Sequence, residues 1–232
     1  MQAVVIKLVN MIMLMAPIGV FALITKTITS LAVGEGGEAN LGQIGAVLGA
    51  LGYYCIAVVI GLLLHIVIVY LGLLKLLTPL KLSQFFKAIA PAQLLAFSTS
   101  SSGATLPVTM RQCKEKLGAS KETTSFVLPL GATINMDGTA LYQAVAAVFI
   151  AQASGMSLDM GDQLTIVITA VLASIGTAAV PGAGIIMLVI ILEAVGIPGE
   201  GIALILGVDR ILDMLRTTTN VTGDAAVCAI IA

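Results

Sequence analysis

The sequence contains little charge and no tryptophan. Only 10% of its 232 residues are charged and 59% are hydrophobic, whereas a soluble globular domain carries about 25% charged residues. Residues 44–74 contain no Asp, Glu, Lys or Arg, and this stretch exceeds the roughly 20 apolar residues that a bilayer span requires. The composition therefore argues against a soluble domain and predicts an all-α, multi-pass membrane protein.

Features that support several other functions are also missing. The net charge is −1 and no basic face is interleaved with aromatic residues, so nucleic acid is not an expected partner, in contrast to the lipid bilayer. Cys55, Cys113 and Cys228 are scattered, which predicts neither a disulfide framework nor a cysteine-based metal site. The lone histidine, His65, lies in a long apolar segment, where an interhelical hydrogen bond is a more typical role than a proton relay.

Apolar segments and their interruptions divide the chain into predicted elements. A first span is expected at 8–24 within residues 1–40, and it lacks the small-residue cleavage pattern of a signal peptide. The following elements are a helix at 41–77, hairpin one at 83–116, an interrupted helix at 123–155, hairpin two at 160–197 and a last helix at 200–232.

The two predicted hairpins are apolar segments broken near their centres. The breaks lie at Ser98–Gly103 and Gly176–Gly182, and they leave halves too short to span a bilayer. Irregular backbone survives at membrane depth only where protein or a water-filled cavity satisfies its polar groups. Paired broken segments are typical of a transporter binding site. We therefore interpret them as re-entrant helical hairpins, with two kinked full spans as the alternative.

The distribution of basic residues favours the hairpin interpretation. Lysines and arginines lie on both sides of the first broken segment, so both of its ends are expected in the cytoplasm. No Lys or Arg lies between Lys121 and Arg210, so both ends of the second are expected outside. Each hairpin and the helix after it then form a unit, and the two units have opposite orientations. Such an inverted repeat places a solute site near the bilayer midplane.

The last predicted helix carries a stripe of polar and ionisable residues. The stripe consists of Asp209, Asp213, Arg216, Asn220 and Asp224. Their spacing places them on one helical face, and charged groups within a membrane must face a partner or water. Three carboxylates beside one guanidinium favour cation binding. Arg216 can clamp a carboxylate through two parallel hydrogen bonds, and Asp213 can accept from an ammonium group, so the pair suits an acidic zwitterion.

Three further segments carry polar or flexible residues. Asn135–Thr139 interrupts a span, which predicts local unwinding that frees carbonyl oxygens for a hard cation beside Asp137. The tip Ser100–Ser102 offers hydroxyls and amides at a helix N-terminus, where an anion binds favourably. Gly182 and Gly184 are expected to give the second tip the mobility of a gate, although plain tight turns are the alternative at both tips.

Four ordered motifs resemble the dicarboxylate/amino acid:cation symporter family, which includes the excitatory amino acid transporters and archaeal aspartate transporters. The motifs are Ser100–Pro107, Gly131–Thr139 (GATINMDGT), Ala178–Gly184 (AAVPGAG) and Asp213–Asp224 (DMLRTTTNVTGD). The resemblance extends from the family's fifth transmembrane helix to its eighth. It implies a homotrimeric, non-enzymatic symporter of aspartate or glutamate in the cell (inner or plasma) membrane, coupled to sodium without an organic cofactor. Residues 41–232 would form a transport domain that moves like an elevator against a scaffold to which 1–40 belong.

The resemblance also implies site residues. The implied substrate pocket consists of Ser102, Thr139, Val180, Gly184, Asp213, Arg216, Thr217 and Asn220. One implied sodium site consists of Gly131, Asn135, Asn220 and Asp224. A second uses backbone oxygens of Thr133, Ser174, Ile175 and Thr177. A third uses Asp137 with Asn135.

Departures from the family leave alternatives open. The family's opening four helices have no counterpart in this sequence, so a truncated, non-transporting fragment is one expectation. An arginine that some members carry is Ser100 or Met214 here, and Ala179 replaces a glycine of some relatives. A C4-dicarboxylate:cation symporter, with sodium or proton coupling, is another alternative. An intramembrane aspartyl protease is disfavoured because no GxGD-type context surrounds the aspartates.

Overall fold

The computed structural model describes residues 41–232 and isolated helical positions between residues 11 and 29. The span and loop predicted within residues 1–40 therefore lie outside the continuously described part of the chain. No strand occurs in residues 41–232. The helical elements are α1 (Leu41–His65), a π-helical segment (Ile66–Tyr70), α2 (Leu71–Leu77), α3 (Leu82–Thr99), α4 (Ser102–Lys116), α5 (Lys121–Ile134), α6 (Asp137–Ala153), α7 (Met160–Ile175), α8 (Ala183–Ala194), a 3-10 turn (Gly199–Gly201) and α9 (Ile202–Ile231).

Within residues 41–232, two helical runs are long and apolar enough to cross a bilayer. Gly45–Leu77 and Lys121–Ala153 each cover 33 residues, and at 1.5 Å per residue either run exceeds the hydrocarbon thickness of about 30 Å. The first run exposes large apolar side chains, among them Tyr53, Leu63 and Leu76. An apolar face of this extent requires lipid or protein against it. These features agree with a membrane-embedded chain.

Two pairs of helices are joined by short connections at the predicted breaks. α3 contacts α4 across Ser100 and Ser101, and α7 contacts α8 across residues 176–182. Ser100 (φ 53°) and Gly182 (φ 74°) adopt the left-handed conformation that tight chain reversals use. The four helices contain 18, 15, 16 and 12 residues, so each is shorter than the roughly 20 residues of a bilayer span.

The break between α5 and α6 is narrower than the sequence predicts. Only Asn135 and Met136 are non-helical, and Asp137–Thr139 already form the first turn of α6. The backbone N–H of Gly138 donates to Asn220 Oδ1 over 2.9 Å. This acceptor from a distant helix satisfies an amide that has no partner within α6. The helix can therefore begin at Asp137, inside the break that the sequence predicts.

Helix α9 lies at the centre of the described fold, where it contacts α1–α6 and α8. Its N-terminal half packs into a cluster of buried apolar residues through Ile205 and Leu212. Its C-terminal end packs into a second cluster through Ala225 and Cys228. The polar stripe from Asp209 to Asp224 is flanked by these apolar contacts at both ends, and the packing holds it inside the protein.

Candidate functional site

The structure places the whole polar stripe of α9 inside the protein. Its five residues are between 1% and 8% exposed. They are Asp209, Asp213, Arg216, Asn220 and Asp224. Buried charges require partners or ligands because the low-dielectric interior strongly disfavours isolated ions. The partners of each residue therefore indicate what the site can bind.

Arg216 is the most buried member of the stripe, and one nitrogen of its guanidinium group has no hydrogen-bond partner in the described residues. Its Nε donates to Asp213 Oδ1 over 2.9 Å, and its Nη1 donates to Asp209 Oδ1 over 3.2 Å. The guanidinium also stacks 4.1 Å from the ring centre of Tyr142. Within residues 41–232, Nη2 has no hydrogen-bond partner. This nitrogen remains available to a ligand carboxylate.

Three side chains that support this arrangement, those of Tyr142, Asp209 and Gln143, are not among the site residues that the resemblance implies. The Tyr142 hydroxyl donates to Asp209 Oδ1 over 2.7 Å, and both residues also contact the guanidinium of Arg216. Gln143 Nε2 donates to the carbonyl of Gly184 over 2.8 Å. The position of Asp209 in the α9 stripe signals its role in the sequence, whereas Tyr142 and Gln143 carry no comparable signal.

One small cavity is lined by all eight residues that the resemblance implies for substrate binding. Its volume is about 20 Å³, which is space for about one water molecule. The lining comprises Ser102, Thr139, Val180, Gly184, Asp213, Arg216, Thr217 and Asn220, together with Ser100, Met136 and Thr177–Ala179. A molecule larger than water can enter only after one of the lining segments moves.

The first tip, Ser100–Ser102, and the second tip, residues 176–182, contact each other beside this cavity. The Ser101 hydroxyl and the Gly103 backbone N–H both donate to the carbonyl of Ala179, over 2.7 Å and 3.1 Å. On the other side of the second tip, the Gly182 N–H donates to Asp213 Oδ2 over 2.8 Å. Three hydrogen bonds therefore link the second tip to the first tip and to α9.

Three of the four residues implied for the first sodium site, Gly131, Asn135 and Asp224, lie together. Asn135 Nδ2 donates to Asp224 Oδ1 over 3.1 Å. The same oxygen lies 2.6 Å from the position that a Cβ on Gly131 would occupy, so only glycine permits this approach. Asn220 lies one helical turn before Asp224, and its Oδ1 already accepts from Gly138.

The second implied sodium site lies where α5 and α7 end. These helices contact each other; Thr133 lies in the last turn of α5, and Ser174 and Ile175 end α7. The Ser174 carbonyl accepts from the Thr177 N–H over 3.1 Å. Helix C-termini carry partial negative charge, so the location suits a cation held by backbone oxygens.

The third implied sodium site has partners that the sequence did not predict. His65 Nε2 lies 2.8 Å from Asp137 Oδ2, and the Tyr70 hydroxyl donates to the same oxygen over 2.6 Å. The interhelical hydrogen bond expected for His65 is therefore present. Asn135, the other residue implied for this site, instead donates to Asp224.

The donor atoms of these sites suit hard cations. Carboxylate, amide and backbone oxygens are the ligands that hard cations prefer. In the described part of the chain, no group of three or more His, Cys, Asp or Glu residues is placed to hold a metal ion.

A separate apolar cavity of about 680 Å³ between α1, α6 and α7 shares no lining residue with the polar cavity.

The amino-acid sequence matches a family of transporters. The family model for the sodium:dicarboxylate symporter family matches residues 1–232. Excitatory amino acid transporter 1 of Homo sapiens is 47% identical over 95% of this chain and 39% of its own length. The Ambystoma tigrinum protein of the same name is 48% identical over the same shares. Excitatory amino acid transporter 2 of Homo sapiens is 44% identical over 97% of this chain and 38% of its own. The chain thus spans about two fifths of these relatives' length.

Proposed function

The chain belongs to the sodium:dicarboxylate symporter family, and from this premise we propose that it forms the core of a secondary active symporter that binds an acidic amino acid with sodium ions. The family and the matched relatives are transporters, not enzymes. The membrane location follows from the same membership and from the apolar helical runs. Aspartate and glutamate are the proposed solutes.

The unpartnered Nη2 of Arg216 is the observation that carries this proposal. Arg216 is 1% exposed and lines the cavity, and two carboxylates hold its guanidinium while Nη2 has no hydrogen-bond partner within residues 41–232. A solute carboxylate bound there would be buried with an opposite charge beside it, which compensates for its lost hydration. Asp213 lines the same cavity and offers a partner for an ammonium group. The pair therefore suits a zwitterion with an additional carboxylate.

We also propose that the second tip is the gate of this pocket. Its release requires the loss of the bonds to Ser101, Gly103 and Asp213. The lengths of α3, α4, α7 and α8 support their assignment as re-entrant hairpins, and the basic residues flanking the first pair support an inverted repeat. Elevator-type movement of residues 41–232, a scaffold role for residues 1–40 and a homotrimer remain proposals from the family resemblance.

A C4-dicarboxylate solute is the second candidate. Asp213 already accepts hydrogen bonds from Gly182, Arg216 and Thr217, so its carboxylate is used even without an ammonium partner. A solute that lacks the ammonium group would leave these three bonds intact. Competition between succinate and aspartate separates the two candidates, because an aspartate carrier should bind succinate weakly.

The experiment is a binding measurement with the chain in lipid nanodiscs. We expect L-aspartate to bind in sodium chloride but not in choline chloride, and Arg216→Ala to abolish binding. Arg210→Ala is the matched control, because Arg210 is exposed on the same helix and should bind like the wild type. Aspartate affinity that survives Arg216→Ala would contradict the proposal. Binding without uptake into vesicles would support a non-transporting fragment.

A further inference from the structure

We propose that the π-helical segment Ile66–Tyr70 positions the carboxylate of Asp137 as a cation ligand, with His65 and Tyr70 as its positioning residues. This inference deepens the proposed function and rests on sodium being a co-substrate of the chain. It concerns two side chains to which no site role was assigned from the sequence. Three features carry it: the helix geometry, the free oxygen of Asp137, and the packing of Tyr70 on α9.

The π-helical geometry allows two side chains to reach one carboxylate oxygen. His65 and Tyr70 are five residues apart, which in a regular α-helix separates their directions by roughly 140°. In this segment the N–H of Leu71 donates to the carbonyl of Ile66, five residues earlier. The wider turn brings both side chains to Asp137 Oδ2, at 2.8 Å and 2.6 Å. π-helical turns within α-helices are frequent at functional sites.

These contacts leave the second carboxylate oxygen free. Asp137 Oδ1 is enclosed by protein and has no hydrogen-bond partner within residues 41–232. A buried carboxylate oxygen normally has a partner, and one without a partner requires an explanation. Fixing Oδ2 with two donors orients Oδ1 in advance, as hydrogen-bonded carboxylates are oriented in metal sites. We infer that a sodium-sized cation is the missing partner.

Tyr70 also connects this carboxylate to α9. Tyr70 is buried, and its ring packs edge-on against His65 with ring centres 4.9 Å apart. A Cβ on Gly223 would overlap the Tyr70 hydroxyl oxygen. The close approach of Tyr70 to α9 therefore requires glycine at this position. Gly223 directly precedes Asp224, the carboxylate of another implied sodium site. A side chain at Gly223 would therefore displace Tyr70 from Asp137.

The test compares sodium affinity among purified variants of the chain. Melting temperature is measured against sodium chloride concentration, with choline chloride keeping the ionic strength constant, because a ligand of the native state raises stability. We expect Tyr70→Phe to raise the sodium midpoint by about 10- to 100-fold, as loss of a supporting hydrogen bond does in metal sites. Gly223→Ala should have a similar effect. Gly223→Ala should also lower the melting temperature without sodium, because its Cβ would crowd the Tyr70 ring, so the variants are compared by their sodium midpoints alone.

Matched variants separate positioning from general stability. Tyr53→Phe removes a hydroxyl from an exposed tyrosine, and Gly72→Ala adds a methyl group where no atom lies within 4 Å. Both should keep the wild-type midpoint. His65→Gln retains an N–H donor and should preserve sodium affinity better than His65→Leu. In the Asp137→Asn background, Tyr70→Phe should have no further effect, because both changes act on one interaction.

Each outcome distinguishes the inference from the function on which it rests. A wild-type chain that sodium does not stabilise overturns the proposed sodium coupling. A wild-type response that Tyr70→Phe leaves unchanged overturns the positioning role alone. An additive effect of Tyr70→Phe in the Asp137→Asn background also overturns it, because Tyr70 would then act on sodium through another route.

Discussion

Replacement of Asn220 by alanine tests how α9 holds the break between α5 and α6. The Asn220 side chain is buried, accepts from the Gly138 N–H over 2.9 Å and donates to the Thr139 hydroxyl over 3.0 Å. Gly138 lies in the first turn of α6, where backbone N–H groups have no partner within the helix. The substitution leaves this buried donor without its acceptor.

The expected loss follows from the two hydrogen bonds. A buried donor left unsatisfied costs about 1–3 kcal/mol, and the second hydrogen bond contributes about 0.5–1.5 kcal/mol. We therefore expect Asn220→Ala to lower the free energy of unfolding by about 1.5–4.5 kcal/mol. This estimate concerns the protein without ligand, so it does not depend on the proposed role of Asn220 in binding.

The assay is unfolding of the chain in mixed micelles with increasing SDS, followed by circular dichroism in buffer without sodium and solute. Thr218→Ala is the control, because the Thr218 hydroxyl donates only within its own helix, to Met214, and its loss should change stability by less than about 0.5 kcal/mol. Equal stabilities of Asn220→Ala and Thr218→Ala would refute the claim that Asn220 holds the start of α6.

Two further changes test the packing and the gate. Gly201→Ala should lower the free energy of unfolding by about 1–3 kcal/mol, because its Cβ would meet buried Ile150. Gly199→Ala is the control, since open space surrounds Gly199. Equal stabilities of the two variants would contradict the close packing of Gly201 on Ile150. Ser101→Ala should speed hydrogen exchange of the amides at 178–183, because it removes a donor to Ala179; an unchanged exchange rate would show that this bond does not hold the tip.

The α9 stripe illustrates what could be predicted from the sequence. Charged residues at helical spacing in an apolar segment have few stable placements, so the burial of Asp213, Arg216 and Asp224 follows from local pattern and bilayer physics. The breaks near Ser100 and Gly182 follow equally from residues that disfavour helix interiors. The individual pocket residues depended on the family resemblance, because they come together from distant parts of the chain.

Contacts between distant segments account for what could not be predicted. Ile66–Tyr70 is uniformly apolar apart from the tyrosine hydroxyl, and its sequence is that of a regular span. Its π-helical geometry accompanies contacts with Asp137 and Gly223, which are distant in the chain. The early start of α6 likewise depends on Asn220, and no local propensity indicates that acceptor.

The two-residue break at Asn135 and Met136 has a thermodynamic consequence. The carbonyl end of α5 attracts cations and the amide end of α6 attracts anions, and the break places these opposite ends next to each other in one membrane-spanning run. Ion and solute bound on either side would stabilise each other electrostatically. Linkage is reciprocal: any factor by which sodium tightens aspartate binding must equal the factor by which aspartate tightens sodium binding.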